Sequence, residues 1–242
     1  MTRVGYCTVE DLRRALRKSD LPGDASQDRE IALDAITGQT EWLQEETNRH
    51  WFDPDGVVED EDDLIPTEPL THEMDEQDIE TSAVIFADDE ISPSTNGPGP
   101  YTTVNLFRRD VLEVTELLVL NDEGSFDDWV ADDEFEEGRG ADYWLQVDDA
   151  DGWTSLYLNT NSLEDEMTDY RGAVLATYEY GIEGASAAKT IRRAIALRAG
   201  AHFAEEAAIQ IPENARLGSI ETKAQEMRNE AEELLGIHED TR

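Results

Sequence analysis

Residues 143–158 read YWLQVDDADGWTSLYL, and the five at the centre, Asp148-Asp149-Ala150-Asp151-Gly152, fit two different structures. One is a calcium loop and the other an acidic turn between two strands. Register separates them. A helix–loop–helix calcium site needs oxygen ligands at its first, third and fifth positions, Gly at the sixth and Glu at the twelfth. With Gly152 sixth, Val147 is first and Leu158 is last, so two ligands are lost. The flanks, Tyr143–Val147 and Trp153–Leu158, are rich in aromatic, β-branched and aliphatic residues. Asp151-Gly152 is a hairpin signal because Gly accepts positive φ. The stretch predicts a β-hairpin, and the source of its acidity lies in the chain as a whole.

That chain has 242 residues, with 58 Asp plus Glu against 19 Lys plus Arg, a formal charge of −39. Only Lys18, Lys189 and Lys223 are lysines; the other bases are arginines. Many carboxylates with few lysines suit a protein that stays soluble in concentrated salt, where the screening length falls to about 3 Å at 1 M. The composition therefore predicts a protein of a halophile or of a virus that infects one. A disordered acidic chain fits less well, because 38% of residues are hydrophobic and five are Trp, enough to build a core. One cysteine, Cys7, excludes an internal disulfide framework and Cys-rich zinc sites. The N-terminal stretch has no apolar signal region and no run reaches membrane-spanning length, which predicts a soluble chain without an export signal. Nonspecific nucleic-acid binding is disfavoured, since phosphates are repelled by such a surface.

The charge is unevenly placed. Residues 1–50 carry ten acids and seven bases and residues 182–242 eleven and eight, a net −3 in each case. Residues 51–181 carry thirty-seven acids against Arg108, Arg109, Arg139 and Arg171, a net −33. Balanced ends around an acidic middle predict an α+β fold, a helical bundle formed by both termini with a β-rich insertion. The segments are 1–56, 57–181 and 182–242, the last packing with the first.

The ends carry helical periodicity. Thr8 and Asp11 are spaced as a capping box, after which Val9, Leu12 and Leu16 share a face. Pro22-Gly23 ends that helix. Ser26 can cap a second one running to about Asn48, with Ile31, Ala35, Trp42 and Leu43 inward and Gly38 a weak point. Ser186 can start a third, carrying Ile191, Ala194, Ile195, Ala201, His202 and Phe203, with a break near Pro212. In the last, Ile220, Ala224, Met227, Ala231, Leu234 and Leu235 form one apolar stripe, and Gly236 stands where a C-terminal cap belongs. The middle instead offers strand candidates at 82–87, 102–107, 112–120, the 143–158 hairpin and 173–181. In the last of these Val174, Ala176, Tyr178 and Tyr180 share a face. Residues 57–70 predict an extended acidic linker and 92–100 a Pro/Gly loop.

No chemistry stands out. His50, His72, His202 and His238 sit in no metal-ligand spacing, and His202 predicts a core or interface histidine. His72-Glu73 lacks the second His of a zincin motif. Phosphate-loop, dinucleotide-binding and nucleophile-elbow motifs are missing. Cys7 precedes a helix start, where a thiolate can be stabilised, but a packing role is favoured. Carboxylates are too numerous for one pair to be picked out. The sequence predicts no catalytic residue, no cofactor and no metal site, and disfavours an enzyme.

The order of elements says more. YCTVEDLRRAL followed by IALDAITGQTEWLQEETNRHWF resembles the opening of the head–tail connector (adaptor) proteins of tailed viruses. There the second helix ends in a polar-aromatic signature, here Thr47-Asn48-Arg49-His50-Trp51-Phe52. The likeness continues through DVLEVTELLVLND, DYWLQVDDADGW with LYLN, VLATYEYG and AAKTIRRAIALRAGAHFAEEA. Residues 57–100 fall outside it. The resemblance implies a non-enzymatic virion protein of the neck, assembled in the host cytoplasm. It implies a homo-oligomeric ring, usually a dodecamer, between the portal protein and a stopper or tail-completion protein. Viral DNA passes through such a ring without sequence-specific contact, and no membrane is involved. A carboxylate-lined lumen would favour that passage, although a halophile's ordinary acidic surface explains the same charge. The apolar stripe Ile220, Ala224, Met227, Ala231, Leu234 and Leu235 is the expected portal-facing or neighbour-facing element; a helix packed within its own subunit is the equal alternative. Two other classes compete: a halophilic acidic β-rich ligand-binding module, and an unrecognised hydrolase.

Overall fold

The computed structural model describes residues 5–19, 21, 29–55, 65–74, 101–121, 123–163, 173–209 and 217–239. Among these the chain forms four helices and nine strands, a mixed α+β fold. The expected cap at Ser26, the strand at 82–87, most of the 57–70 linker, the 92–100 loop and Pro212 lie outside the described residues. Two compact units result, one from Met1–Pro69 with Ile182–Arg242 and one from Leu70–Gly181.

The first unit is helical. Thr8 caps α1 (Val9–Lys18), its hydroxyl accepting from the Asp11 N–H while the Asp11 carboxylate accepts from the Thr8 N–H. This reciprocal box satisfies two amide donors that a helix start leaves without partners. Val9, Leu12 and Leu16 are buried. Helix α2 (Arg29–Thr47) contributes Ala32, Leu33, Ala35, Ile36 and Leu43, with Ile31 and Trp42 at the margin. Helix α3 (Ala185–Ile209) packs against α1, α2 and α4 (Leu217–Glu239). Ile191, Ile195 and Phe203 of α3 are wholly or nearly wholly buried.

Helix α2 stops at Asn48, whose φ of +54° is the left-handed conformation that terminates helices and that Asn tolerates. The chain then leaves as β1 (Trp51–Phe52), which pairs in parallel with β9 (Ile182–Glu183). Two sequence expectations change here, the core placement of His202 and the cap at Gly236. His202 points outward, its side chain 48% exposed, while its neighbours Ala201 and Phe203 take the core positions. Gly236 does not cap α4, which continues to Glu239.

The second unit is two antiparallel sheets. One has the order β2 (Leu70–Glu73), β8 (Val174–Tyr180), β4 (Val111–Leu120), β5 (Phe126–Asp128). The other has the order β3 (Tyr101–Asn105), β7 (Thr154–Asn159), β6 (Tyr143–Val147). Val174, Ala176, Tyr178 and Tyr180 face inward, as alternation requires. They meet Leu156 and Leu158 from the other sheet in one core with Leu117 and Val119. Strand β4 shifts register twice against β8, between Val111 and Glu113 and between Val114 and Glu116. Such bulges twist a long strand.

The hairpin between β6 and β7 closes over six residues rather than two, since Val147 pairs with Thr154. Asp148 donates its N–H to the Trp153 carbonyl at 2.8 Å, and Gly152, at φ +74°, donates to the Asp148 carbonyl at 2.8 Å. The Asp148 and Asp151 carboxylates accept from the N–H groups of Ala150 and Trp153. Two of the three aspartates thus build the turn, and Asp149 is exposed. Asp149→Asn is expected to change unfolding free energy by about 0.5 kcal/mol or less. A calcium-dependent rise in melting temperature that this substitution abolishes would contradict the turn role.

Candidate interaction surface

The apolar stripe of α4 is closed within the subunit. Ile220, Ala224, Met227, Ala231 and Leu235 are 0–7% exposed and belong to the helical core, with Leu234 packed at its edge. The reason is close helix approach. A Cβ on Gly200 of α3 would stand 2.9 Å from the Met227 methyl and 3.7 Å from Leu16, so the missing side chain lets Met227 seat against α3. The face expected to meet a portal or a neighbour is occupied by the subunit's own α3.

The signature 47–52 is the turn that carries α2 into β1, and Thr47 and His50 within it find partners inside the subunit. The Thr47 hydroxyl donates to the Leu43 carbonyl at 2.6 Å. His50 is fully buried, and its Nε2 donates to the Glu68 carbonyl at 3.1 Å. That leaves Nδ1 to accept from the Tyr6 hydroxyl at 2.9 Å. The same hydroxyl accepts from Gln44 and from the Trp51 N–H. Burial pushes the His50 pKa down to about 4, against a weaker upward pull from the Glu68 carbonyl. His50 is therefore neutral at pH 7.

The sign of the pH effect follows. Between pH 6.5 and about 4 the unfolded chain binds a proton that the folded His50 refuses, so this contribution is complete above 6.5 and is lost as pH falls. The loss is on the order of 3 kcal/mol. Many carboxylates titrate nearby in pH, so the comparison is with His50→Gln. The stability gap between wild type and variant is expected to shrink between pH 6.5 and 4 in urea unfolding. A constant gap would contradict it.

The outer faces of α1 and α3 hold a basic cluster that the apolar stripe does not indicate. Arg14 and Lys18 of α1 face Lys189, Arg192 and Arg193 of α3 across a groove of about 270 Å³, floored by Ala15, Ala196 and Leu197. Arg192 Nε donates to the Asp11 carboxylate at 2.6 Å, and Lys18 donates to Glu230 at 3.0 Å, where Arg193 also binds. Burial raises the Asp11 pKa, but bonds from Thr8 and Arg192 outweigh it and hold the carboxyl below its usual range. Bonds from Lys18 and Arg193 lower Glu230 likewise. The signal was present in the sequence as Arg14/Lys18 and Lys189/Arg193, two basic pairs spaced i, i+4.

No family model matches the chain, and no curated protein or solved structure matches it.

Among the described residues no three His, Cys, Asp or Glu side chains gather so as to hold a metal ion. No helix among them is long and apolar enough to cross a membrane. Cys7 is fully buried, and burial pushes its thiol far above the ordinary range, which suppresses the nucleophilic thiolate. His72 lies among Phe107, Tyr178 and Tyr180.

Proposed function

We propose that the chain is a structural head–tail adaptor of a tailed virus with a halophilic host. In this reading it forms a ring between the portal and a stopper or tail-completion protein, and DNA passes through the lumen. The observation that carries the reading is the order of elements. Two N-terminal helices end in the 47–52 turn, a β-rich segment follows, and a long helix comes after it. The finer architecture proposed is a bundle of both termini with the β-rich segment inserted. Support comes from the shared apolar core of α1, α2, α3 and α4 and from β1 pairing with β9 at the two ends of the insertion.

With the α4 stripe enclosed, ring contacts fall to the polar outer faces of the helices and to the β-rich unit. Heterologous contacts of this kind close when the rotation between neighbours is a fraction of a turn. Particles produced without this chain should contain packaged heads and no attached tails, read by electron microscopy. Normal tailed particles in its absence would overturn the proposal.

A further inference from the structure

A second, smaller cleft of about 110 Å³ adjoins the basic groove, and Lys189 and Arg192 line both. Trp51, Tyr6 and Asp53 also border it. Trp51 is 2% exposed, and its indole Nε1–H finds no acceptor among the described residues. A buried donor without a partner is costly and uncommon. Lys189 has no ion-pair partner among the described residues, and Arg192 engages Asp11 through Nε, leaving its terminal N–H groups. The acidic groups here already accept from neighbours. Asp53 accepts from the Asp55 N–H at 3.2 Å, and Asp11 is held by Thr8 and Arg192. Two cations, Lys189 and Arg192, thus line the cleft against one acid, Asp53, beside the apolar Phe52, Ile65 and Ile191.

We infer that this cleft receives a carboxylate side chain from an acidic stretch of a second copy of the chain, laid along the groove between α1 and α3. The proposal rests on the ring reading, since it requires a neighbour. The cleft has room for one carboxylate-sized group, and the adjoining groove has the apolar floor and basic rim that suit an acidic backbone segment. Charge complementarity selects the occupant. The unit Leu70–Gly181 holds twenty-nine acids against four arginines, while the unit carrying the groove sets the other fifteen bases, five of which line the groove, against its own twenty-nine acids. A contact pairing one copy's basic groove with the next copy's acidic unit is heterologous, the kind that propagates around a ring. At contact distance it survives molar salt, where longer-range attraction is screened. A nucleic acid offers similar oxygens but meets a chain of charge −39.

The test mixes isotopically light and heavy chains in molar salt, assembled on the portal, and joins amines to touching carboxylates with a zero-length carbodiimide. Light-to-heavy bonds from Lys189 to Asp or Glu within 70–181 are expected. Lys189→Glu, on an exposed position, should weaken self-association by about tenfold or more without changing the circular dichroism. If the assembly forms and Lys189→Glu leaves it intact, with coupling only inside single chains, this contact is wrong and the ring reading stands. A chain that stays monomeric even with the portal overturns both. If Lys189→Glu instead abolishes retention of a DNA fragment, the occupant is a phosphate backbone and the inference fails.

Discussion

Met227→Asp abolishes cooperative folding of the helical unit. The methionine is 2% exposed and sits in the core with Ala224, Ala231 and Leu16, its methyl over the space left by Gly200. A carboxylate there loses its hydration among the apolar neighbours of the helical core. The cost of an unpaired buried charge is several kcal/mol. A domain's whole stability is about 5–15 kcal/mol. Thermal unfolding followed by far-ultraviolet circular dichroism in molar salt should show a broad, early loss of helix signal. Met227→Leu, which nearly conserves volume, should cost less than about 1.5 kcal/mol. A Met227→Asp protein that melts like wild type would mean that α4 does not pack on α3.

Dialysis into dilute buffer unfolds or loosens the chain. Its net charge is −39, and the unit Leu70–Gly181 contributes −25 of it on 112 residues. Within that unit, like-charged neighbours include the aligned pair Glu113 and Glu179. Cross-strand like charges destabilise a sheet. At 1 M salt their field decays over about 3 Å, and at 0.01 M over about 30 Å. The repulsion then sums across the unit and opposes the compact state. Melting temperature should fall steeply with decreasing salt, with near-ultraviolet signal lost at the low end. A flat profile from 2 M to 0.01 M salt would contradict the halophilic reading.

Some of the fold was legible because it is encoded locally. Thr8 with Asp11 specified a helix start that needs no tertiary partner, and the alternation Val174, Ala176, Tyr178, Tyr180 specified which face of β8 is inward. The 143–158 hairpin was legible from its turn residues, although its six-residue closure depends on Asp148 and Asp151 side chains that composition alone does not place. Other features depend on what a segment meets. The stripe Ile220 to Leu235 marked an apolar face, but periodicity carries no address; Gly200, twenty residues earlier, decided that the address was α3. Two-residue strands such as β1 and β9 carry no period and exist only by pairing with each other. Phe126–Asp128 lacks the apolar run of a strand because β5 pairs only at the end of its sheet. The basic groove was hidden because it is assembled from two helices more than 170 residues apart in sequence.

A ring-forming adaptor of a virion neck, as proposed above, reveals itself most directly by mass. Light scattering in molar salt should be run on the purified chain alone and after mixing with the portal ring of the same virus. A stable complex is expected that is heavier than the portal by about twelve copies, the number the adaptor resemblance implies for a closed ring, each of 27.2 kDa. A chain that elutes at 27.2 kDa in both samples, with the portal unchanged, would contradict it.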